Sequence, residues 1–389
     1  MFKKIAVFTF FFCFGFGYTI TPLKSKVHIY IDYATTPTLL QMIDLIKQPK
    51  EDLKFIFWRR FPNLNKNVNL ADYNTTQIEL PPFEGANRQS QNIIKTCIQH
   101  IYDNTPDADY TIHVNLWWAT QLIPILQIID PTKIEHIHIY EDGISNVIHS
   151  RKDLTLSVTP HKKNYANLLK KIIVEDGDYT HEYDFVFHTL YPTTYHLSFV
   201  DMIKKDPSLN DFINFLDLKN IKEINWYKLK NSLTDREKQQ LFSFINFDIH
   251  SYKEKISNKK VDFFLLRGSY STTEEQIKTV STLFKHQNLN RVLVLKEHPN
   301  LTPRIIASKI QKNIPEAIIF PKHIPFEILI LADLIPDTIS GYSTSVFFLF
   351  PSEKIKYYIS SDRDSYLHFL KELNIITDEK IIESMKDTK

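Results

Sequence analysis

Cysteine is nearly absent from this 389-residue chain, with only Cys13 and Cys97 present. Cys13 lies in an N-terminal leader, so a mature chain keeps one thiol and no intramolecular disulfide. Neither Cys-x-x-Cys nor a zinc spacing occurs, and stability has to come from core burial. Charge of one sign is also missing. The 47 Lys and Arg residues against 45 Asp and Glu leave a formal net charge of +2, without the concentrated basic face of a nucleic-acid binder. No Gly-x-x-x-x-Gly-Lys-Ser/Thr loop and no Gly-x-Gly-x-x-Gly turn occurs, so ATP hydrolysis and dinucleotide redox chemistry lack their usual fingerprints. The 15 histidines show no His-x-x-x-His spacing with a Glu, and Glu141-Asp142 is not an Asp-x-Asp pair, so no metal site stands out. Long apolar runs are confined to the leader, where Lys3 and Lys4 precede Ile5 to Ile20. That pattern reads as a secretory signal or signal anchor. It is short for a spanning helix, which needs roughly 20 apolar residues. Residues 1–24 are therefore set apart from the fold.

What remains has the composition of a folded soluble protein, 43% hydrophobic and 24% charged. Its 28 Phe and 19 Tyr suit sugar-binding clefts and ordinary cores alike. From residue 26 strand-like and helix-like segments alternate. KVHIYIDY (26–33), LKFIFWRR (53–60), TQIEL (76–80), YTIHVNLWW (110–118) and IEHIHIYEDG (134–143) read as strands. TPTLLQMIDLIKQ (36–48) and RQSQNIIKTCIQHIYDN (88–104) have helical spacing between them. NSLTDREKQQLFSFINF (231–247) carries an N-cap-like Thr234 before Asp235 and Glu237. HSYKEKISNKK (250–260) has many lysines and no periodicity, and reads as a linker. A second alternating unit follows: VDFFLLRG (261–268), the amphipathic TEEQIKTVSTLFKHQ (273–287), RVLVLKEHP (291–299), and further segments to residue 348. The architecture expected is α/β, with two Rossmann-like doubly wound domains facing across a cleft.

In such sheets ligands bind beyond the carboxyl ends of the strands. Asp142 and His298 each stand at such an end, one in each unit. Asp-Gly is a common way to leave a strand, so the acidic turn is either a plain terminator or a catalytic carboxylate. A transferase in this cleft needs a general base for an attacking hydroxyl, which Asp142 suits. It needs a proton donor and a cation for a leaving phosphate, which His298 and Lys296 suit. Ser340 to Ser345 form a third element. Thr344 and Ser345 fall near a helix start, where they either cap the helix or bind phosphate.

With these pieces in order the chain resembles the bacterial sialyltransferases of glycosyltransferase family 80, which have the GT-B fold. Tyr140-Glu141-Asp142-Gly143 is similar to the family's Asp/Glu-Asp-Gly motif, Lys296-Glu297-His298-Pro299 to its Lys-Gly-His-Pro motif, and Ser343-Thr344-Ser345 to its Ser-Ser pair. The resemblance implies inverting, metal-independent and cofactor-free transfer of sialic acid from CMP-sialic acid to a terminal galactoside of lipooligosaccharide. It implies Asp142 as base and His298 as acid. Gly268, Lys296 and Pro299 would border the cytidine, Glu327 the ribose, and Thr344 and Ser345 the phosphate. Thr35 and Asn87 match positions that meet the sialic acid, and Arg60 an arginine near that pocket. Three departures stand out. Glu297 replaces the motif glycine, Thr344 replaces one serine, and Trp118 stands on the acceptor side where the family has a histidine; Tyr270 is the nearest aromatic to cover the acceptor.

The domains expected are an acceptor-side unit over 25–257 and a nucleotide-sugar unit over 258–377, with 378–389 returning to pack on the first. The competing readings are a transferase for another CMP-activated nonulosonic or octulosonic acid, and a non-catalytic glycan-binding protein. No nucleic-acid partner is expected. The leader favours membrane association with the catalytic portion outside the cytoplasm, whereas the cytoplasmic supply of CMP-sugars favours the inner face.

Overall fold

The computed structural model describes residues 25–59, 68–80, 87–142, 164–175, 185–198, 200–205, 210–267, 272–285, 290–298, 306–360 and 366–383. The leader lies outside them, and among the described residues no helix is long and apolar enough to cross a membrane.

Two parallel sheets organise the chain. The first holds β1 (Lys26–Asp32), β2 (Leu53–Trp58), β3 (Thr75–Gln77), β4 (Asp109–Asn115), β5 (Ile134–Tyr140), β6 (Thr193–Leu197) and β7 (Ile221–Glu223), in the order β3-β2-β1-β4-β5-β6-β7. The second holds β8 (Lys260–Leu265), β9 (Arg291–Lys296), β10 (Ile318–Phe320), β11 (Thr338–Tyr342), β12 (Ile355–Ser360) and β13 (Ile381–Glu383), in the order β10-β9-β8-β11-β12-β13. Strand order reverses between β1 and β4 in the first sheet and between β8 and β11 in the second. These are the switch points beyond which ligands bind in doubly wound sheets. The central strands lie in the interior of the two sheets: β1, β4, β8 and β9 are buried from their second residue onward, polar residues such as His28, His113 and Asp262 included.

Helix ends follow local chemistry. Thr234 and Glu237 form a reciprocal capping box on the helix Asp235–Phe244, as Thr272 and Glu275 do on Thr273–Phe284. The expected linker is instead largely a helix, Ile249–Ile256, capped by Asp248, whose carboxylate accepts from Ser251 N at 2.9 Å. Its lysines conceal an apolar stripe of Ile249, Tyr252 and Ile256. Tyr252 is buried edge-on against Phe320 of β10, with ring centroids 5.4 Å apart. A second expectation is also corrected. Of the C-terminal segment, residues 381–383 join the second sheet and not the first, because β13 pairs with β12 through Tyr358 and Ile381 and forms its edge; residues 384–389 lie outside the described chain. The strand expected over 110–118 ends at Asn115, and residues 116–121 turn into a 3-10 helix.

One glycine is required by geometry. Gly341 in β11 has φ +145°, and a Cβ there would stand 2.4 Å from the backbone oxygen of Leu265 on β8. The side chain is missing where two strands approach at the candidate site. Gly341→Ala is expected to destabilise the fold by about 1–3 kcal/mol from overpacking, with backbone strain added. Denaturant titration checks this, and an unchanged midpoint would refute it.

Candidate active site

The carboxyl edges of the two sheets carry the candidate groups. In the first unit β1 ends at Asp32, and the chain enters the helix Thr35–Lys47 directly. Asp32 is fully buried. Its Oδ1 accepts from the backbone N–H of Tyr33 and of Ala34 and, at 3.1 Å, from Asn115 Nδ2 at the end of β4. Burial nevertheless pushes the Asp32 carboxyl up to about 8, and the neighbouring Asp142 adds to that shift. Glu141 follows β5 and is buried, accepting from Ser198 N beyond the end of β6, while its own N–H donates to His196 O at 3.0 Å. Burial, together with the charge of Asp142, holds Glu141 near 8 as well. Asp142 is half-buried at this same edge, between two carboxyls that stay protonated at neutral pH. Neutral neighbours do not repel a negative charge on Asp142, and this suits a general base.

In the second unit Lys296 is the last residue of β9 and buried. Its ammonium donates to Lys322 O at 3.1 Å and lies 5.7 Å from the Phe320 ring centroid. Burial lowers its pKa to about 8, and the charges of Glu327 and Glu297 oppose the fall. Glu327 opens the short helix Glu327–Leu331; burial raises its pKa, countered by its own backbone N–H, by Thr36 and by Lys296. His298 follows β9 and is exposed. Thr344 and Ser345 lie beyond β11 and are half-buried, and Thr344 Oγ1 accepts from Val346 N at 3.5 Å as the N-cap of a 3-10 turn. That long bond leaves the hydroxyl available to a further partner, so capping and phosphate binding are compatible at this position.

The two edges are joined. Thr36 of the first unit donates through Oγ1 to Glu327 Oε1 of the second at 3.1 Å. Glu297, which replaces the motif glycine, turns to the N-terminus of the helix Ile306–Asn313, accepting from Ala307 N at 2.9 Å. Its charge is therefore used by a helix dipole.

Of the other residues selected from the sequence, Thr35 is the half-buried first residue of its helix. Asn87 starts the helix Asn87–Asn104 and Trp118 lies in the turn after β4; their side chains are outside the described set. Arg60, Gly143, Gly268, Tyr270 and Pro299 lie outside the described residues. Asp32 and Thr36 were not selected. The signal for Asp32 was present, since an acid at a strand's carboxyl end is what singled out Asp142.

The model of the family described as sialyltransferase PMO188 matches residues 27–385. The chain belongs to this family. It is a glycosyltransferase of the GT-B fold, as the resemblance implied. Comparison with curated proteins returned no match. Among solved structures, an alpha/beta-galactoside alpha-2,3-sialyltransferase from Photobacterium phosphoreum is 24% identical with a TM-score of 0.76, over 94% of this chain and 100% of that one. A sialyltransferase from Photobacterium damsela is 20% identical with a TM-score of 0.76, over 92% of this chain and 81% of its own. A 2,6-sialyltransferase from Photobacterium sp. JT-ISH-224, solved with CMP and lactose, is 19% identical with a TM-score of 0.75, over 92% and 78%. At these identities the likeness shows the fold.

Proposed function

We propose that this sialyltransferase-family chain transfers sialic acid from CMP-sialic acid to a galactoside with inversion, without a metal in the chemical step. The observation that carries the reading is the pair of carboxyl edges, acidic after β1 and β5 and basic after β9, each within one strand of a switch point and tied together by Thr36 and Glu327. Asp142 takes the proton of the acceptor hydroxyl as that oxygen bonds to the anomeric carbon. The bond from that carbon to the phosphate oxygen breaks on the opposite face, and the electron pair leaves with CMP. His298 gives a proton to the departing phosphate, and Thr344 and Ser345 hold its oxygens. Lys296, with Gly268 and Pro299, borders the cytidine, and Glu327 accepts from the ribose hydroxyls. Thr35, Asn87 and Arg60 line the sialic acid pocket, and Trp118 lies towards the acceptor. The relative solved with CMP and lactose supports this class of donor and acceptor. A lipooligosaccharide galactose fits the reading as natural acceptor, with the leader holding the enzyme at the membrane and CMP-sugar supply favouring the cytoplasmic face.

Lys296 and Glu327 act on each other's ionisation, which fits one donor site. Calorimetry with CMP tests this. Lys296→Met and Glu327→Gln are each expected to weaken binding about tenfold or more, the usual effect of removing a hydrogen bond to a charged group. CMP binding unchanged in both would remove the donor site from this edge. Turnover of a CMP-octulosonate in preference to CMP-sialic acid would keep the site and change the sugar.

A further inference from the structure

Beneath the helix Thr35–Lys47, the first sheet carries a polar stripe that the transfer chemistry does not use. His28 on β1, His113 on β4, His138 on β5 and His196 on β6 follow one another across the strands, with Tyr30 and Tyr140 among them. Ring centroids are 4.1 Å apart for Tyr30 and His113, 4.8 Å for His113 and His138, and 4.3 Å for Tyr140 and His196. Stacking fixes these rings.

At the β1 end of the stripe three ligand-type atoms converge. His28 Nδ1 and His113 Nε2 are 3.4 Å apart, and His113 Nε2 is 3.6 Å from Asp44 Oδ2. All three atoms lie within 4.8 Å of one another. We propose that His28 Nδ1, His113 Nε2 and Asp44 Oδ2 bind one divalent cation of the zinc class, joining β1, β4 and the helix Thr35–Lys47.

The geometry and surroundings of these atoms support it. Zinc bonds of about 2.0–2.1 Å set tetrahedral edges of about 3.3–3.4 Å, close to the His28–His113 and His113–Asp44 spacings, with the third pair of atoms within 4.8 Å. The 3.4 Å spacing of His28 Nδ1 and His113 Nε2 is at the long end of the hydrogen-bond range. Each imidazole has a partner on its far nitrogen: His28 Nε2 faces Asp52 Oδ2 at 3.3 Å and His113 Nδ1 faces Tyr140 Oη at 3.0 Å. With protons on those far nitrogens the two near nitrogens present lone pairs to each other, and a cation between them relieves the repulsion. Asp44 Oδ2 is itself fixed by Tyr30 Oη at 2.8 Å and Gln48 Nε2 at 3.0 Å, as ligating carboxylates usually are. Burial also keeps both imidazoles in the neutral form a metal requires. The Asp44 side chain is 27% exposed, which gives an entry path and room for a water as fourth ligand.

The metal-free alternative is specific: Tyr140 donates to His113 Nδ1, and His113 Nε2 donates to His28. The test uses the full chain without a polyhistidine tag, stripped with chelator and titrated with Zn2+ and with Co2+. Expected are one bound Zn2+ per chain, a raised thermal midpoint, and visible Co2+ bands of tetrahedral type. Asp52→Asn, which disturbs only the outer partner, is expected to weaken Zn2+ binding by about 10–100-fold. Asp44→Asn and His28→Gln are expected to abolish the Co2+ bands, with folding confirmed by circular dichroism. If His28→Gln fails to fold, the half-exposed Asp44→Asn decides. No stoichiometric Zn2+, or Zn2+ bound equally by wild type and Asp44→Asn, would overturn the proposal in favour of the proton-bridged pair. The expected cation acts on stability, so this outcome is independent of the transfer reaction.

Discussion

Asp142→Asn is expected to lower kcat by about 10²–10⁴-fold while leaving the KM for the CMP-sugar nearly unchanged. The substitution keeps the size of the side chain and removes its basicity. It also leaves Asp32 and Glu141 neutral at neutral pH, because their pKa values near 8 arise first from burial. The surrounding hydrogen bonds, from Tyr33 N, Ala34 N and Asn115 to Asp32 and from Ser198 N to Glu141, do not involve Asp142. A loss of rate in a fully folded variant would therefore report the base. Steady-state kinetics with thermal midpoints measured alongside separates the two effects. A variant with wild-type kcat would return the acidic turn to the role of a strand terminator.

The second large effect is a pH dependence of stability that one substitution isolates. Asp32 and Glu141 have folded pKa values near 8, against unfolded values of 3.8 and 4.5. Between about pH 4 and pH 8 the folded chain binds more protons at these groups than the unfolded chain does. Stability from them is fully present below the unfolded values and is lost as pH rises through 8. The buried histidines act in the opposite sense. His113, His138 and His196 have depressed pKa values from burial and from one another, so they oppose folding as pH falls below about 6.5. Wild-type stability is the sum of both trends, and comparison with Asp32→Asn cancels the histidine part. The variant mimics the neutral acid and keeps an oxygen for Tyr33 N, Ala34 N and Asn115. It is expected to match wild type near pH 3.5, below the unfolded pKa of 3.8, and to exceed it at pH 8 by a few kcal/mol, at about 1.4 kcal/mol per pKa unit. Urea titrations at the two pH values measure this. Parallel curves for the two proteins across that range would show that Asp32 ionises normally.

Much of the fold was legible because burial marks strand composition: β8 and β9 read as nearly continuous apolar runs ending at Leu265 and Lys296, and β1 and β5 as alternating runs ending at Asp32 and Tyr140. The helix Ile249–Ile256 was hidden because its apolar face, buried Tyr252 flanked by half-buried Ile249 and Ile256, is diluted by exposed lysines. The C-terminal strand β13 is three residues long, and its partner is fixed by sheet geometry rather than by its own composition. At the site, the motif residues Asp142, Lys296 and His298 were selected by their place after strands. The direction of Glu297 was not legible, since it depends on where the helix Ile306–Asn313 begins. Thr36 and Glu327 meet only through the packing of two units, and nothing local to either residue shows it. Asp32 carried the same strand-end signal as Asp142 but no resemblance that drew attention to it.

The most direct measurement is mass spectrometry of the wild-type chain incubated with CMP-sialic acid and lactose in the presence of EDTA. Equal amounts of CMP and α-linked sialyl-lactose, with neither accumulating in Asp142→Ala, are the expected result. A folded wild-type protein that forms no sialyl-lactose, or an Asp142→Ala variant that forms it at the wild-type rate, would contradict the account.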